Sequence, residues 1–334
     1  MRTVPPRGAV PGLAVLACFA LLACLAGPAA HAQSPGADRP LRVILPVGAG
    51  SGVDTIVRAV GPALAKALGG RPVVIENLPG AGGITGTSAL VKAPADGSTI
   101  GVISNNHAVN PSVYRSLPYD SLNDLTPISV VGATPLVLVV NPARLPASDV
   151  RGVVELLKAK PGAYNYASSG NGTILHLAAA MFVDEAGVKA QHVPYKGVGP
   201  MVIDLIGGQV DFGVLALPAV QGHLASGKLR AIGVGSRTRL PQLPDLPTVA
   251  EQGLPDYEVG GWFAVVAPAK LPAAEVRRFH EAIVAAMASP EVREAMAKQG
   301  NVIDPTTPEE AARFMRTEQE RYAKLVKKAD IRIE

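Results

Sequence analysis

An α/β architecture in two domains is what this chain predicts, and three observations carry that expectation. Short runs of β-branched and aliphatic residues alternate with segments whose apolar residues recur at helical spacing, the pattern of parallel strands covered by helices on both faces. Glycine and proline, 35 and 30 residues, fall mostly between these segments, as turn-forming residues should. The 334 residues, about 300 once an N-terminal leader is set aside, also fill two domains more readily than one.

The leader comes first. Met1 to Ala32 reads as a secretory signal: Arg2 and Arg7 give a positive start, Leu13 to Leu25 is an apolar run, and Ala30-His31-Ala32 offers a small-residue cleavage site. The run is only about a dozen residues, short of the roughly 20 that a spanning helix needs. Leu21-Leu22-Ala23-Cys24 loosely resembles a lipobox, which would leave a lipid on Cys24, but Leu22 and the better-formed site at Ala32 favour cleavage after Ala32. Export to the periplasm is therefore expected. Both cysteines, Cys18 and Cys24, lie in the leader, so the mature chain has no disulfide and must rely on its core. Cleavage removes two arginines and no acid, which takes the formal charge from +4 to +2. Without a basic cluster that balance leaves no footprint for nucleic acid; Lys324, Lys327 and Lys328 read as a solvated helix end.

After a flexible leader at 33–39, Leu41 to Pro46 reads as a buried strand. A helix over Thr55 to Leu68 places Ile56, Val60, Leu64 and Leu68 on one face, with Asp54 as its cap and Pro62 expected to kink or split it. Val73 to Ile75 and Thr99 to Ser104 are strands, and Ile128 to Val140 is one long strand or two. A second block repeats the grammar: a helix capped by Ser148, then strands at 164–167, 191–194, 210–215 and 229–235 and helices at 173–185 and 198–206. The last block is helical. Val276, Phe279, Ile283 and Met287 make one apolar stripe, and Thr307-Pro308-Glu309-Glu310 is a capping box that opens the final helix.

Two small-residue loops stand between a strand and a helix: Gly48-Ala49-Gly50-Ser51-Gly52-Val53-Asp54 and Ser168-Ser169-Gly170-Asn171-Gly172-Thr173. Glycine allows close backbone approach, and a helix N-terminus presents unpaired N–H groups with partial positive charge, so two such loops suggest a small anion held from two sides. Neither loop contains lysine or arginine, which points to binding by backbone and hydroxyl groups. His176 lies one turn into the helix that follows the second loop. Asp211 reads as fixing a loop at a strand end, and Tyr257, Trp262 and Phe263 read equally as core packing or as a cleft wall.

Other chemistry lacks its signature. The first loop does not have the spacing of a dinucleotide fingerprint, Gly80 to Gly86 does not follow a strand directly, and no Walker lysine follows any glycine loop. No serine has the flanking glycines of a nucleophile elbow, and the scattered histidines lack metal-ligand spacing. No catalytic residue, metal site or cofactor is expected.

Taken in order, Gly50 to Asp54, Glu76-Asn77 with Pro79 to Gly83, Ala95-Asp96-Gly97, Ser168 to His176, Pro194 to Gly197, Asp204 with Gly207 to Asp211, Gly227 to Arg230, Leu246 to Glu251 and Trp262-Phe263 form one combination. In it the chain resembles the Bug-type (TctC-like) extracytoplasmic solute receptors of tripartite tricarboxylate transporters. The resemblance implies a periplasmic-binding-protein-like fold, two α/β domains with a ligand cleft between them. With the repeated strand–helix grammar it places one domain at 40–140 plus 262–334 and the other at 141–261. It further implies a monomeric, non-enzymatic receptor that takes a small organic carboxylate to membrane permease subunits. Its ligand-binding residues would be Gly50, Ser51, Gly52 and Asp54 from one side, Ser168, Ser169, Gly170, Gly172, Thr173 and His176 from the other, and Gly197, Gly199 and Asp211 at the edge. Val53 stands where the family commonly has threonine, which removes a hydroxyl and suits a more apolar acid. A ligand-presenting partner of a membrane sensor and a secreted enzyme with an anion-binding cleft are the competing readings; the absence of a nucleophile–base or metal constellation argues against the enzyme.

Overall fold

The computed structural model describes residues 1–3 and 39–328. The chain divides into Met1–Ser34 and a body, Pro35–Glu334. Met1–Thr3 have no regular structure; the rest of the expected signal, its cleavage site, both cysteines and the expected leader up to residue 38 fall outside the described residues.

Within the body the chain first runs through β1 (Leu41–Leu45), α1 (Gly52–Ala67), β2 (Val73–Asn77), α2 (Ile84–Val91), β3 (Thr99–Ser104), α3 (Asn105–Val113) and β4 (Leu125–Thr134). It continues through β5 (Leu136–Val140), α4 (Val150–Ala159), β6 (Asn165–Ser168), α5 (Ile174–Glu185), β7 (Gln191–Pro194), α6 (Val198–Gly207), β8 (Phe212–Ala216), α7 (Leu217–Ala225) and β9 (Arg230–Val234). It then returns through β10 (Gly261–Pro268), α8 (Ala273–Ala288), α9 (Pro290–Lys298), β11 (Val302–Ile303) and α10 (Pro308–Lys328). Two sheets result, a six-stranded one in the order β11-β4-β10-β3-β1-β2 and a five-stranded one in the order β7-β6-β8-β5-β9. Each sheet with its helices makes one α/β lobe.

The sheets are mixed, where the alternating pattern predicts parallel ones. β1 pairs parallel with β2 and β3, and β6 with β7 and β8. β10 runs antiparallel to β3 and β4, and β5 antiparallel to β8 and β9. The reason is the connection. Between β4 and β5 stands only Pro135, so the chain passes from one sheet to the other without the crossover helix that parallel pairing requires. The apolar run 128–140 is thus two strands in two sheets, broken at a residue that has no N–H to donate to a ladder.

Helix starts follow side-chain caps, with two corrections to the sequence reading. Ser51, not Asp54, is the N-cap of α1: its Oγ accepts the Asp54 N–H at 3.2 Å, and the Asp54 carboxylate reaches back to the Gly50 N–H at 3.0 Å. Asp149, not Ser148, caps α4, its carboxylate accepting the Gly152 N–H at 2.7 Å. The capping box at the start of α10 forms as expected, with Thr307 Oγ1 accepting the Glu310 N–H and Glu310 accepting the Thr307 N–H. α2, α3, α7 and α9 carry weaker sequence signals. α3 opens on Asn105-Asn106-His107 and contains Pro111, yet α10 packs against it and buries most of its length.

One hydrophobic cluster fills the five-stranded lobe and reaches Leu136, Trp262 and Tyr322; the other lies between the six-stranded sheet and α1 and α8, around Ile56, Phe263, Phe279 and Ile283. A kink or split was expected at Pro62; α1 is not split there, and Val53, Ile56, Val57, Val60 and Leu64 along it pack into the second cluster on both sides of the proline. Pro62 itself is exposed. Pro62→Ala should therefore restore a helix hydrogen bond without loss of packing and raise stability by ~1–3 kcal/mol, read as a higher urea midpoint at unchanged m.

Candidate functional site

Six helices begin at the carboxyl ends of strands, and all six starts line one cavity of about 550 Å³ between the lobes. Pro46–Gly48, Pro79–Gly83 and Ser104–Asn106, after β1, β2 and β3, form one wall. Ser169–Asn171, Tyr195–Gly197 and Ala216, after β6, β7 and β8, form the other. Leu136, at the crossing between lobes, and Trp262, at the return crossing, also face it. In an open α/β sheet this edge collects ligands, because strands end and helix dipoles start there. The Gly52, Val53, Leu175 and Val198 N–H groups, all in first helical turns, have no hydrogen-bond partner among the described residues. Lys196 is the one charged side chain in the lining, and it is exposed at the rim. The site is electropositive through its backbone.

The first loop is held from behind. Asp54 Oδ1 accepts Arg58 Nε at 3.0 Å and Asn77 Nδ2 at 2.9 Å, while Asn77 also ties to the Val47 carbonyl at 3.2 Å. Burial pushes the Asp54 carboxyl up, but the hydrogen bonds from Arg58, Gly50 and Asn77 and the Arg58 charge outweigh it, so the net direction is down and the carboxylate stays ionised. Asp54 is committed to its loop and does not line the cavity. Gly52 has a separate role. A Cβ there would stand 2.8 Å from Ala216 Cβ, so its absence lets α1 and the start of α7 meet across the cleft.

Beneath the second loop lies a stack of aromatic rings. The His176 and His192 rings are stacked 3.8 Å apart and nearly parallel, with Tyr166 stacked 5.0 Å from His192. Each imidazole holds one point of the loop: His176 Nδ1 accepts the Gly172 N–H at 3.1 Å, and His192 Nε2 meets Ser168 Oγ at 2.6 Å. The Ser168 hydroxyl donates to the Gly170 carbonyl, so its bond with His192 requires Nε2–H as donor. Burial, and for His176 also the neighbouring His192, lowers both pKa values to about 4, and both rings are neutral near pH 7. Thr173 caps α5, accepting the His176 N–H at 3.3 Å and donating to the Gly170 carbonyl at 2.8 Å.

Of the residues singled out in the sequence, Ser51, Gly52, Ser169, Gly170, Thr173 and Gly197 line the cavity. Gly50, Asp54, Ser168, Gly172 and His176 do not; they sit beneath the two loops and shape them. Gly199 stands near the Ala49 carbonyl, 3.8 Å from where its Cβ would be, and is also outside the lining. Asp211 lies at the amino end of β8, away from the cavity, where it accepts the Asn165 N–H at 2.7 Å and pairs with Arg144 at 3.2 Å. Trp262 proves to be cleft wall, whereas Tyr257 and Phe263 are core. Sequence reasoning missed Asn105, Asn106 and Tyr114. The first two follow directly on the strand 99–104, and that position at a strand's carboxyl end was the available signal.

Asn105 anchors the floor. Its Nδ2 donates to the Gly260 carbonyl at 3.0 Å and to the Tyr322 hydroxyl at 2.5 Å, and its Oδ1 accepts the Trp262 N–H at 2.9 Å. Trp262 in turn donates Nε1 to Glu318 at 2.7 Å, and its ring meets Phe314 edge-on. With its one polar atom turned to α10, the indole offers the cavity only apolar surface. Among the described residues no group of His, Cys, Asp and Glu could hold a metal ion, and no helix is long and apolar enough to cross a membrane.

A cleft between two α/β lobes, edged by helix N-termini, defines a solute-binding protein of the periplasmic type. The chain belongs to the tripartite tricarboxylate transporter family receptors, whose family model matches residues 56–331. It is 36% identical to Protein BugT of Bordetella pertussis, over 96% of this chain and 98% of that protein. It is also 36% identical to a protein of Pseudomonas sp. strain P51 named for the tcbD-tcbE intergenic region, over 93% of each. Among solved structures, the periplasmic binding protein BugD superposes with a TM-score of 0.85 at 30% identity, covering 89% of this chain and 99% of its own. Rpa4515 of R. palustris with adipate gives 0.85 at 32% identity (88% and 98% covered), and MatC of Rhodopseudomonas palustris with bound malate gives 0.81 at 27% (86% and 99%).

Two outcomes follow from this geometry. The histidine pair binds protons in the unfolded chain below pH 6.5 but in the native one only near pH 4, so stability should fall as pH drops through that window. The Asp54 contribution is lost lower, below its ordinary value of 3.8. Urea midpoints measured from pH 7 to 4 should decline. In His176→Asn, whose Oδ1 can still accept the Gly172 N–H, the slope should be roughly halved. For the floor, Asn105→Leu strands two acceptors and a donor in the interior and should cost about 3 kcal/mol of unfolding free energy by the same assay.

Proposed function

We propose that this protein is a periplasmic receptor that closes over a small organic carboxylate and delivers it to the membrane permease of a tripartite transporter. The observation that carries the reading is the ring of helix N-termini with unpartnered N–H groups around a cavity whose one cation is at the rim. Such an array favours an anion, and a hydrogen bond to a charged group contributes roughly 1.5–3 kcal/mol. Three or four of them account for micromolar affinity, about −8.2 kcal/mol. The adipate and malate in the structures of Rpa4515 and MatC support a carboxylate. So does the inertness of the lining: the Ser168–His192 pair lies beneath its loop, outside the cavity, with the hydroxyl turned to the Gly170 carbonyl. The receptor acts as a monomer after cleavage at Ala32, with no cofactor and no nucleic-acid partner. Its two domains are 40–140 plus 262–334 and 141–261; the pairing of β5 with β8 and β9 supports a first crossing a few residues earlier, at Pro135.

Proline substitution tests the backbone cradle. Val198 is the first residue of α6, where proline's missing N–H is not needed by the helix, and Gly197 before it, at φ 110° and ψ 179°, is outside the α region that a following proline disfavours. Val198→Pro should leave the fold intact and weaken carboxylate binding by about 10-fold or more in calorimetry. Lys196→Ala should change it by less than about 3-fold, as for an exposed charge. The reverse order would mean that a side-chain cation holds the ligand.

A further inference from the structure

Away from the strand crossings, one hydrogen bond joins the lobes through a cavity-lining side chain. Asn106, the second residue of α3 in the six-stranded lobe, accepts the Ile174 N–H on its Oδ1 at 2.7 Å. Ile174 is the first residue of α5 in the five-stranded lobe, so the bond spans the cleft. Both residues line the cavity. The other such bond of the lining among the described residues, Asn105 Nδ2 to the Gly260 carbonyl, lies beside the return crossing at β10.

The position has a chemical meaning. At the start of α5 the His176 N–H is capped by Thr173 and the Leu175 N–H has no partner. The Ile174 N–H is the remaining donor that would meet an incoming anion, and the Asn106 carbonyl occupies it as a neutral acceptor. Because the partner is a donor, the Asn106 amide can face it only with its oxygen. The amino group is thereby oriented as well, and Nδ2 has no partner among the described residues. Its neighbour Asn105 differs: all of its polar atoms are committed to Gly260, Tyr322 and Trp262.

We infer that Asn106 is a cross-cleft clasp that also reads the ligand: its carboxamide oxygen draws the lobes together on α5, and its amino group, oriented by that bond, donates to the bound carboxylate. The second half of this rests on the carboxylate reading above; the first does not. A neutral hydrogen bond biases an open–closed equilibrium by roughly 2- to 10-fold, enough to favour closure without locking the cleft against exchange. Ligand and lobe closure are coupled because one side chain serves both.

Two variants separate the roles. Asn106→Asp keeps an acceptor for the Ile174 N–H but replaces the amino group with a second carboxylate oxygen. Asn106→Ala removes both. Closure is read without ligand from the FRET distance between dyes on Lys92→Cys and Lys228→Cys, exposed positions in the two lobes of a mature chain that has no other cysteine. Affinity for malate, adipate and benzoate is read by calorimetry at pH 7.5. Asn106→Asp should keep the wild-type distance and bind at least about 10-fold more weakly, since an anion replaces a donor to an anion. Asn106→Ala should shift toward longer distances and also bind more weakly. Wild-type affinity in Asn106→Asp overturns the reading of the ligand, and an unchanged distance in Asn106→Ala overturns the clasp. A wild-type protein that binds none of the three acids defeats the carboxylate reading, and with it the donor role; the clasp is then decided by the FRET distances alone.

Discussion

Backbone N–H groups that no helix can satisfy from within are the resource on which this structure is built. Every strand-to-helix turn leaves several of them, and parallel strands put all such turns on one sheet edge. Here six turns from two sheets face a common cavity. That demands a particular chain path. The sheets must meet edge to edge with their carboxyl ends together, which is why β4 passes directly into β5 and why the chain returns through β10. The antiparallel pairings of β5 and β10 are the structural consequence.

A cradle of amides differs from a pocket of arginines. Fixed dipoles require no buried cation and hence no desolvation of a full charge in the empty state. They do require rigid loops, since a glycine-rich turn left to itself would let its N–H groups find water in many conformations. The supports beneath each loop meet that need with different chemistry. Asp54 works as an ion, gathering Gly50, Arg58 and Asn77 around a buried carboxylate. His176 and His192 work as neutral rings, whose stacking at 3.8 Å would be repulsive if both carried charge. The first support is strengthened by ionisation and the second destroyed by it, so acid weakens the two loops in different pH windows.

The floor belongs to the far end of the chain. Trp262 is positioned by Asn105 on one side and by Glu318 of α10 on the other. α10 also packs on α3 and β4, so the C-terminal helix, distant in sequence from both glycine loops, sets the shape of the apolar part of the cavity. Polar rim and apolar floor together match the small organic acid proposed as ligand, with a body that tolerates contact with an indole face.

The alternation of strands and helices and the two glycine loops were legible along the chain, because each is a local pattern of residue types. The strand-to-helix setting was also enough to place Ser51, Gly52, Ser169, Gly170, Thr173 and Gly197 at the edge of the cavity. Tertiary structure alone decided the rest. Ser168 and His176 turn inward because His192, from the neighbouring strand β7, bonds the one and stacks on the other. Asp211 sits at the wrong end of its strand for a ligand, and a strand's direction relative to the cavity depends on the sheet it joins. Asn105 and Asn106 are adjacent and chemically identical, yet one is sealed into the floor and the other spans the cleft. That difference rests on which backbone groups, more than 60 positions away in the chain, come within hydrogen-bond reach, and no periodicity or spacing encodes it.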